Sequence, residues 1–120
     1  MMKKILASLA IASSVFMMMD AAAMTKTEHY VFNYDNGKSF EIQLTDKTIT
    51  WTSMCGPDKG QTETDEITTT KLAENIDVIQ WTEKDGTFVT VIFDKENLRE
   101  ISSGKYADGT WLWNGTATRL

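Results

Sequence analysis

An all-β chain is predicted, folded as a small antiparallel up-and-down β-barrel of about eight strands preceded by a signal peptide. Three observations predict it. Apolar and polar residues alternate from Tyr30 almost to the C-terminus, which is the period of a half-buried strand. Turn residues interrupt that alternation about every 8–12 residues, the rhythm of an all-β domain. After residue 23 no segment carries a helical period. A barrel removes sheet edges, and about eight strands enclose room for one small ligand. A two-sheet sandwich is the alternative arrangement of the same strands.

The elements follow in order. Lys3 and Lys4 give a basic start, Ile5 to Met19 an apolar run, and Ala21-Ala22-Ala23 the small residues a signal peptidase needs. The run is shorter than the ~20 residues of a membrane span. Residues 1–23 are therefore expected to be a cleaved signal peptide, with the barrel domain at 24–120. No Cys adjoins the cleavage site, so no lipid anchor is expected.

"YVFNYDNGKSFEIQL" reads as a hairpin. Asn36-Gly37 between alternating runs is a strong hairpin signal. Tyr30, Phe32 and Tyr34 share one face of its first strand, and Phe40, Ile42 and Leu44 one face of its second. In "TDKTITWTS" Ile49 and Trp51 face in and the threonines face out. "CGPDKG", with the only Pro, is a loop. "QTETDEITTTKL" is polar but β-branched and reads as one exposed strand. Ile76–Glu83 and Thr87–Phe93 form a second hairpin around Lys84-Asp85-Gly86, and Leu98–Ser103 a further strand after the turn Asp94-Lys95-Glu96-Asn97. "GTWLWNGTATRL" closes the chain as one bent strand, with Trp111 and Trp113 on one face and Gly115 read as a bulge or kink.

Composition limits the function classes. The net charge is −5. Removal of residues 1–23 takes away Lys3, Lys4 and Asp20, leaving ten basic and sixteen acidic residues. That balance argues against nucleic acid and anionic membrane surfaces as partners. Cys55 is the only cysteine, so no internal disulfide can form, and pairing between chains would make a homodimer. His29 is also single. No His/Cys metal cluster and no ordered calcium loop is available, and no cofactor is expected.

The second hairpin raises a chemical question. Ile79, Trp81 and Glu83 share one side of a strand, so a carboxylate follows a tryptophan onto the face that reads as buried. Either Glu83 reaches water at the strand end or the barrel keeps an acid inside. Tyr34 falls on the same aromatic face. The expectation is that Glu83 points into the barrel near Tyr34, its pKa raised by lost water, with a hydrogen bond from Tyr34 opposing the rise. Trp51, Trp81, Trp111 and Trp113 are the large aromatics for a small-molecule site.

"YDNGKSFEI", "WTEKDGTFVTVIFD" and "NGTATRL" resemble the MoaF-related domain family of lipocalin-like (calycin) small barrels. The resemblance covers most of residues 24–120 and implies that fold. The same hairpin and strand pair resemble bacterial phenolic acid decarboxylase. That resemblance implies two tyrosines before the turn, which orient a substrate carboxylate; here Phe32 and Tyr34 stand there. It implies a glutamate beside the substrate phenol, matched by Glu83. It implies an arginine in the mid-chain strand, where Gln61 stands once a small gap is allowed. One hydroxyl and the cation are missing, so the constellation is incomplete, and the carboxylate loses its charge-assisted partner. "SGKYADGTWLWNG" is similar to the segment by which periplasmic inhibitors of c-type lysozyme enter the lysozyme cleft. Ser103 matches the serine of that segment, and Asn114 stands where a lysine is expected.

The resulting expectation is a periplasmic or secreted lipocalin-like barrel that binds a small aromatic or apolar molecule, with catalysis left open and the incomplete constellation weighing against it. Tyr34, Glu83, Trp51, Trp81, Phe32 and Gln61 are the candidate ligand-binding residues. A decarboxylase-like lyase and a lysozyme-inhibitor-like module are the alternatives.

Overall fold

The computed structural model describes residues 26–120, so the expected signal peptide lies outside the described residues. Nine strands follow one another: β1 Glu28–Tyr34, β2 Ser39–Leu44, β3 Thr48–Ser53, β4 Thr62–Glu66, β5 Thr68–Ala73, β6 Ile76–Thr82, β7 Phe88–Asp94, β8 Arg99–Tyr106 and β9 Gly109–Arg119. All belong to one sheet, in the order β4-β3-β2-β1-β9-β8-β7-β6-β5, and every pairing is antiparallel. The all-β up-and-down architecture is the one expected from the alternation.

The sheet curls until its ends meet. Its edge strands, β4 and β5, are consecutive in the chain and joined by Ile67 alone. Strand β4 also packs along β6, and the Lys84 N–H just beyond β6 donates to Glu63 Oε2 at 2.8 Å. The result is a nearly closed barrel. "TETDEITTTKL" therefore supplies two strands, where the sequence reads as one. The chain corners at Ile67, whose N–H donates to the Lys47 carbonyl at 2.9 Å. That corner is held by a long-range backbone bond and carries neither Gly nor Pro. Strand β5 is exposed along its whole length, and a register shift between Lys71 and Ala73 breaks up its free edge.

The inward residues form two layers. The lower layer is filled. Tyr30, Phe32, Leu44, Ile49, Val91 and Phe93 are each at most 4% exposed, and Phe93 meets the Tyr30 and Phe32 rings edge-on at 4.9 and 5.1 Å. Lys95 closes this end, its Nζ 3.1 Å from both Glu28 Oε2 and Asp77 Oδ2. The upper layer is where the same strands carry Tyr34, Phe40, Trp51, Trp81, Trp111 and Trp113.

Gly115 is not a bulge. Strand β9 keeps one register against β8 from Gly109 to Thr116, and Gly115 pairs with Tyr34 of β1 and Glu100 of β8. A Cβ there would lie 2.1 Å from Glu100 Oε2 and 2.4 Å from the Asn33 carbonyl. The glycine makes room for a carboxylate inside the barrel. Gly104 has a similar role, since the Trp111 indole lies flat against it and would meet a Cβ at 2.1 Å.

Candidate ligand-binding cavity

The upper layer encloses a cavity of about 530 Å³ that opens at the end of the barrel bearing the β1–β2 and β6–β7 turns. This is within the ~300–1,000 Å³ of small-molecule sites. All six residues singled out in the sequence line it: Phe32, Tyr34, Trp51, Gln61, Trp81 and Glu83. Alternation in β1, β3 and β6 brings five of them there. Gln61 comes from the loop ahead of β4 and is exposed at the rim.

One wall is an aromatic belt. Trp111 and Trp113 stack at 4.2 Å, Trp113 meets Tyr34 at 5.2 Å, Tyr34 meets Phe40 at 6.0 Å, and Phe40 meets Trp51 at 6.1 Å. These residues lie on β9, β1, β2 and β3, which are neighbours in the sheet. The belt is therefore continuous across four strands. Trp111 and Trp113, already named as aromatics for a small-molecule site, line it too, and Phe40, whose signal in the sequence was the same alternation, extends the set.

The opposite wall carries acids. Glu83 is half-buried above Trp81, whose indole N–H donates to Glu83 Oε2 at 3.3 Å. Loss of water pushes the Glu83 carboxyl up to about 7; the Trp81 hydrogen bond opposes that rise, and the charges of Glu63, Asp85 and Asp65 add to it. Burial raises Asp65 to about 6, helped by the adjoining Glu63 and opposed by the Trp51 indole, which donates to Asp65 Oδ2 at 3.3 Å. The expected rise at Glu83 is thus found, with a different donor. Tyr34 does not bond Glu83, because its hydroxyl is held by Ser102 on the neighbouring side of the barrel.

That contact leads to a group the sequence reading missed. Tyr34 Oη is 2.7 Å from Ser102 Oγ, and Ser102 donates to Glu100 Oε1 at 2.9 Å. Glu100 is 2% exposed, and its Oε2 has no partner among the described residues. Burial raises its carboxyl to about 7, opposed first by the bond from Ser102 and then by the nearby Tyr34 hydroxyl. Burial, and next the Glu100 charge, hold the Tyr34 hydroxyl well above its ordinary range. Glu100, Ser102 and Gly104 alternate along β8 and are its buried members. Ile101, the apolar residue beside them, points outward and is exposed.

Lys38 is the one cation of the lining, its Nζ 5.9 Å from the Trp113 ring. Cys55 is half-buried against the β1–β2 turn, its Sγ 3.5 Å from the Gly37 carbonyl. Among the described residues no group of three or more His, Cys, Asp or Glu is arranged to hold a metal.

The sequence profile of a family described as MoaF-like matches residues 26–118. Among solved structures, the chain is similar to a protein from Burkholderia vietnamiensis provisionally assigned as a beta-lactamase. The TM-score is 0.72 at 19% identity, over 78% of this chain and 92% of that one. At that identity the likeness concerns the fold. No curated protein matches.

Proposed function

We propose, from the premise that the chain belongs to the MoaF-like family, that its barrel is an exported binding protein for a small aromatic or apolar molecule. The observation that carries this reading is the hollow upper layer. A barrel of this size could fill its interior with side chains, as the lower layer does. The upper layer instead leaves about 530 Å³ between a belt of aromatic rings and a few polar groups. Large apolar walls with sparse polar groups are the chemistry of a small-molecule site. Export is supported by the basic start, apolar run and alanine triplet of residues 1–23.

A decarboxylase-like lyase has weaker support. Phe32 places a bare ring where that reaction needs a second hydroxyl, and Gln61 offers no charge. Lys38 is a cation at the rim, resting over Trp113. An inhibitor reading needs a protruding loop and has no use for a cavity.

Tryptophan fluorescence tests the reading, since Trp51, Trp81, Trp111 and Trp113 all line the space. Titration with a panel of small phenols, alkylbenzenes and aryl amines is expected to give saturable quenching together with a raised melting temperature. A flat response to the whole panel would overturn it.

A further inference from the structure

We infer that the cavity selects a protonated amine carried on an apolar body. This rests on the binding reading above and adds the charge and hydrogen-bonding sense of the ligand.

Two indole donors of the lining are already engaged, and the carboxylate of the lining that lies beside one of them, Glu83, is an acceptor. The Trp81 and Trp51 indole N–H groups, which could have served a ligand's oxygen, are engaged by Glu83 and Asp65. The Ser53 hydroxyl is engaged by the Cys55 carbonyl. The buried Glu100 fixes the sense of the remaining chain. With Glu100 ionised, as near pH 8, Ser102 gives its single proton to Glu100 Oε1, so the 2.7 Å contact with Tyr34 is a bond donated by Tyr34. The Tyr34 oxygen then has only lone pairs left for the cavity. A ligand meets acceptors at Glu83 and at Tyr34, which call for a donor on the ligand, while Gln61, Thr87 and Tyr106 of the lining can either donate or accept.

Charge points the same way. Glu83, Asp85, Asp58 and Asp108 line the cavity and its rim, against Lys38 alone. Glu63 and Asp65 bear on Glu83 from β4, and Lys84 bears on Asp65. Across the space lies the aromatic belt, where Lys38 already rests over Trp113, and a ring face attracts a cation through its quadrupole. An anion would face four carboxylates. A neutral alcohol would satisfy one acceptor but leave the charge uncompensated. An ammonium group answers both walls.

Three probes of equal length separate these cases: 3-phenylpropylamine, 3-phenylpropan-1-ol and 3-phenylpropionate, titrated calorimetrically into the folded protein near pH 8 at low salt. The amine is expected to bind about tenfold more tightly than the alcohol, the difference between a charged and a neutral hydrogen bond in a partly desolvated site. The propionate is expected to bind least. Glu83→Gln should shrink the amine-to-alcohol ratio below about threefold. The wild-type ratio decides the matter even if that variant folds poorly. An alcohol or propionate that binds as tightly as the amine overturns the inference and leaves the binding reading standing. Silence from all three overturns both.

Discussion

Replacing Glu100 by Gln should stabilise the protein, and increasingly so as the pH rises. Glutamine keeps the shape of the side chain, and its amide oxygen can still accept from Ser102. It removes the ionisation and exchanges the unpartnered Oε2 for an amide NH2, a change whose effect does not vary with pH. In the folded protein the Glu100 carboxyl titrates at about 7, against 4.5 for an unperturbed glutamate. Between those values the unfolded chain has released the proton and the folded chain has kept it. Stability contributed by the neutral acid is therefore lost as pH climbs to about 7, and no more is lost above it. Roughly 2.5 units at ~1.4 kcal/mol each make the full effect roughly 3 kcal/mol, of which less than about 1 kcal/mol is expressed by pH 5. No discount for solvent applies, since the side chain is 2% exposed. Urea denaturation of both proteins from pH 5 to pH 9 reads the difference directly. Glu83 and Asp65 titrate in the same range, but they are present in both proteins and cancel. The stability of the variant relative to wild type should grow by roughly 2–3 kcal/mol across the range. A constant offset would come from Ser102 or local packing and is not the quantity of interest. A difference that stays flat, or that favours wild type more at pH 9 than at pH 5, would refute the idea of a neutral acid inside the barrel.

Other outcomes follow from single contacts. Trp81 is 7% exposed and bridges the filled and hollow layers, so Trp81→Ala should lower the urea-measured stability by about 3–5 kcal/mol; a loss below about 1 kcal/mol would show that the inward assignment of β6 is wrong. Gly115→Ala forces a methyl to within 2.4 Å of the Asn33 carbonyl as well as against Glu100. It should cost about 1–3 kcal/mol, and a neutral result would mean that β9 shifts freely at that point. Lysozyme assayed with excess protein should keep its activity, because Asn114 cannot supply a cation to the cleft carboxylates; potent inhibition would reverse the ranking of functions. Mass spectrometry of exported protein should find an N-terminus near Met24, and intact residues 1–23 would refute the cleavage.

The residues that were legible and those that were not divide along the barrel wall. In β1, β2, β3 and β6 the apolar face is also the inner face, so alternation places Phe32, Tyr34, Phe40, Trp51 and Trp81 inward, and Glu83 just beyond β6 follows it to the cavity. Strand β8 inverts the rule. Ile101 lies outside, paired with an equally exposed Ile92 of β7, while Glu100 and Ser102 lie inside. Strand β4 does the same with its threonines outward and Glu63 and Asp65 inward. Periodicity names the face that is apolar, and a filled barrel makes that the inner one. A hollow layer suspends the requirement, because its inner surface is shaped for a ligand. Polar side chains can face inward there, provided they are held by others, as Ser102 holds Glu100 and the Trp51 indole holds Asp65. The strands whose inner face the alternation left unassigned are therefore the ones that supply the acids behind the cavity and the buried carboxylate beside Ser102 and Tyr34. Rim groups such as Lys38, Asp58 and Asp108 were illegible for a different reason: they come from turns and loops, where no period exists to assign a direction.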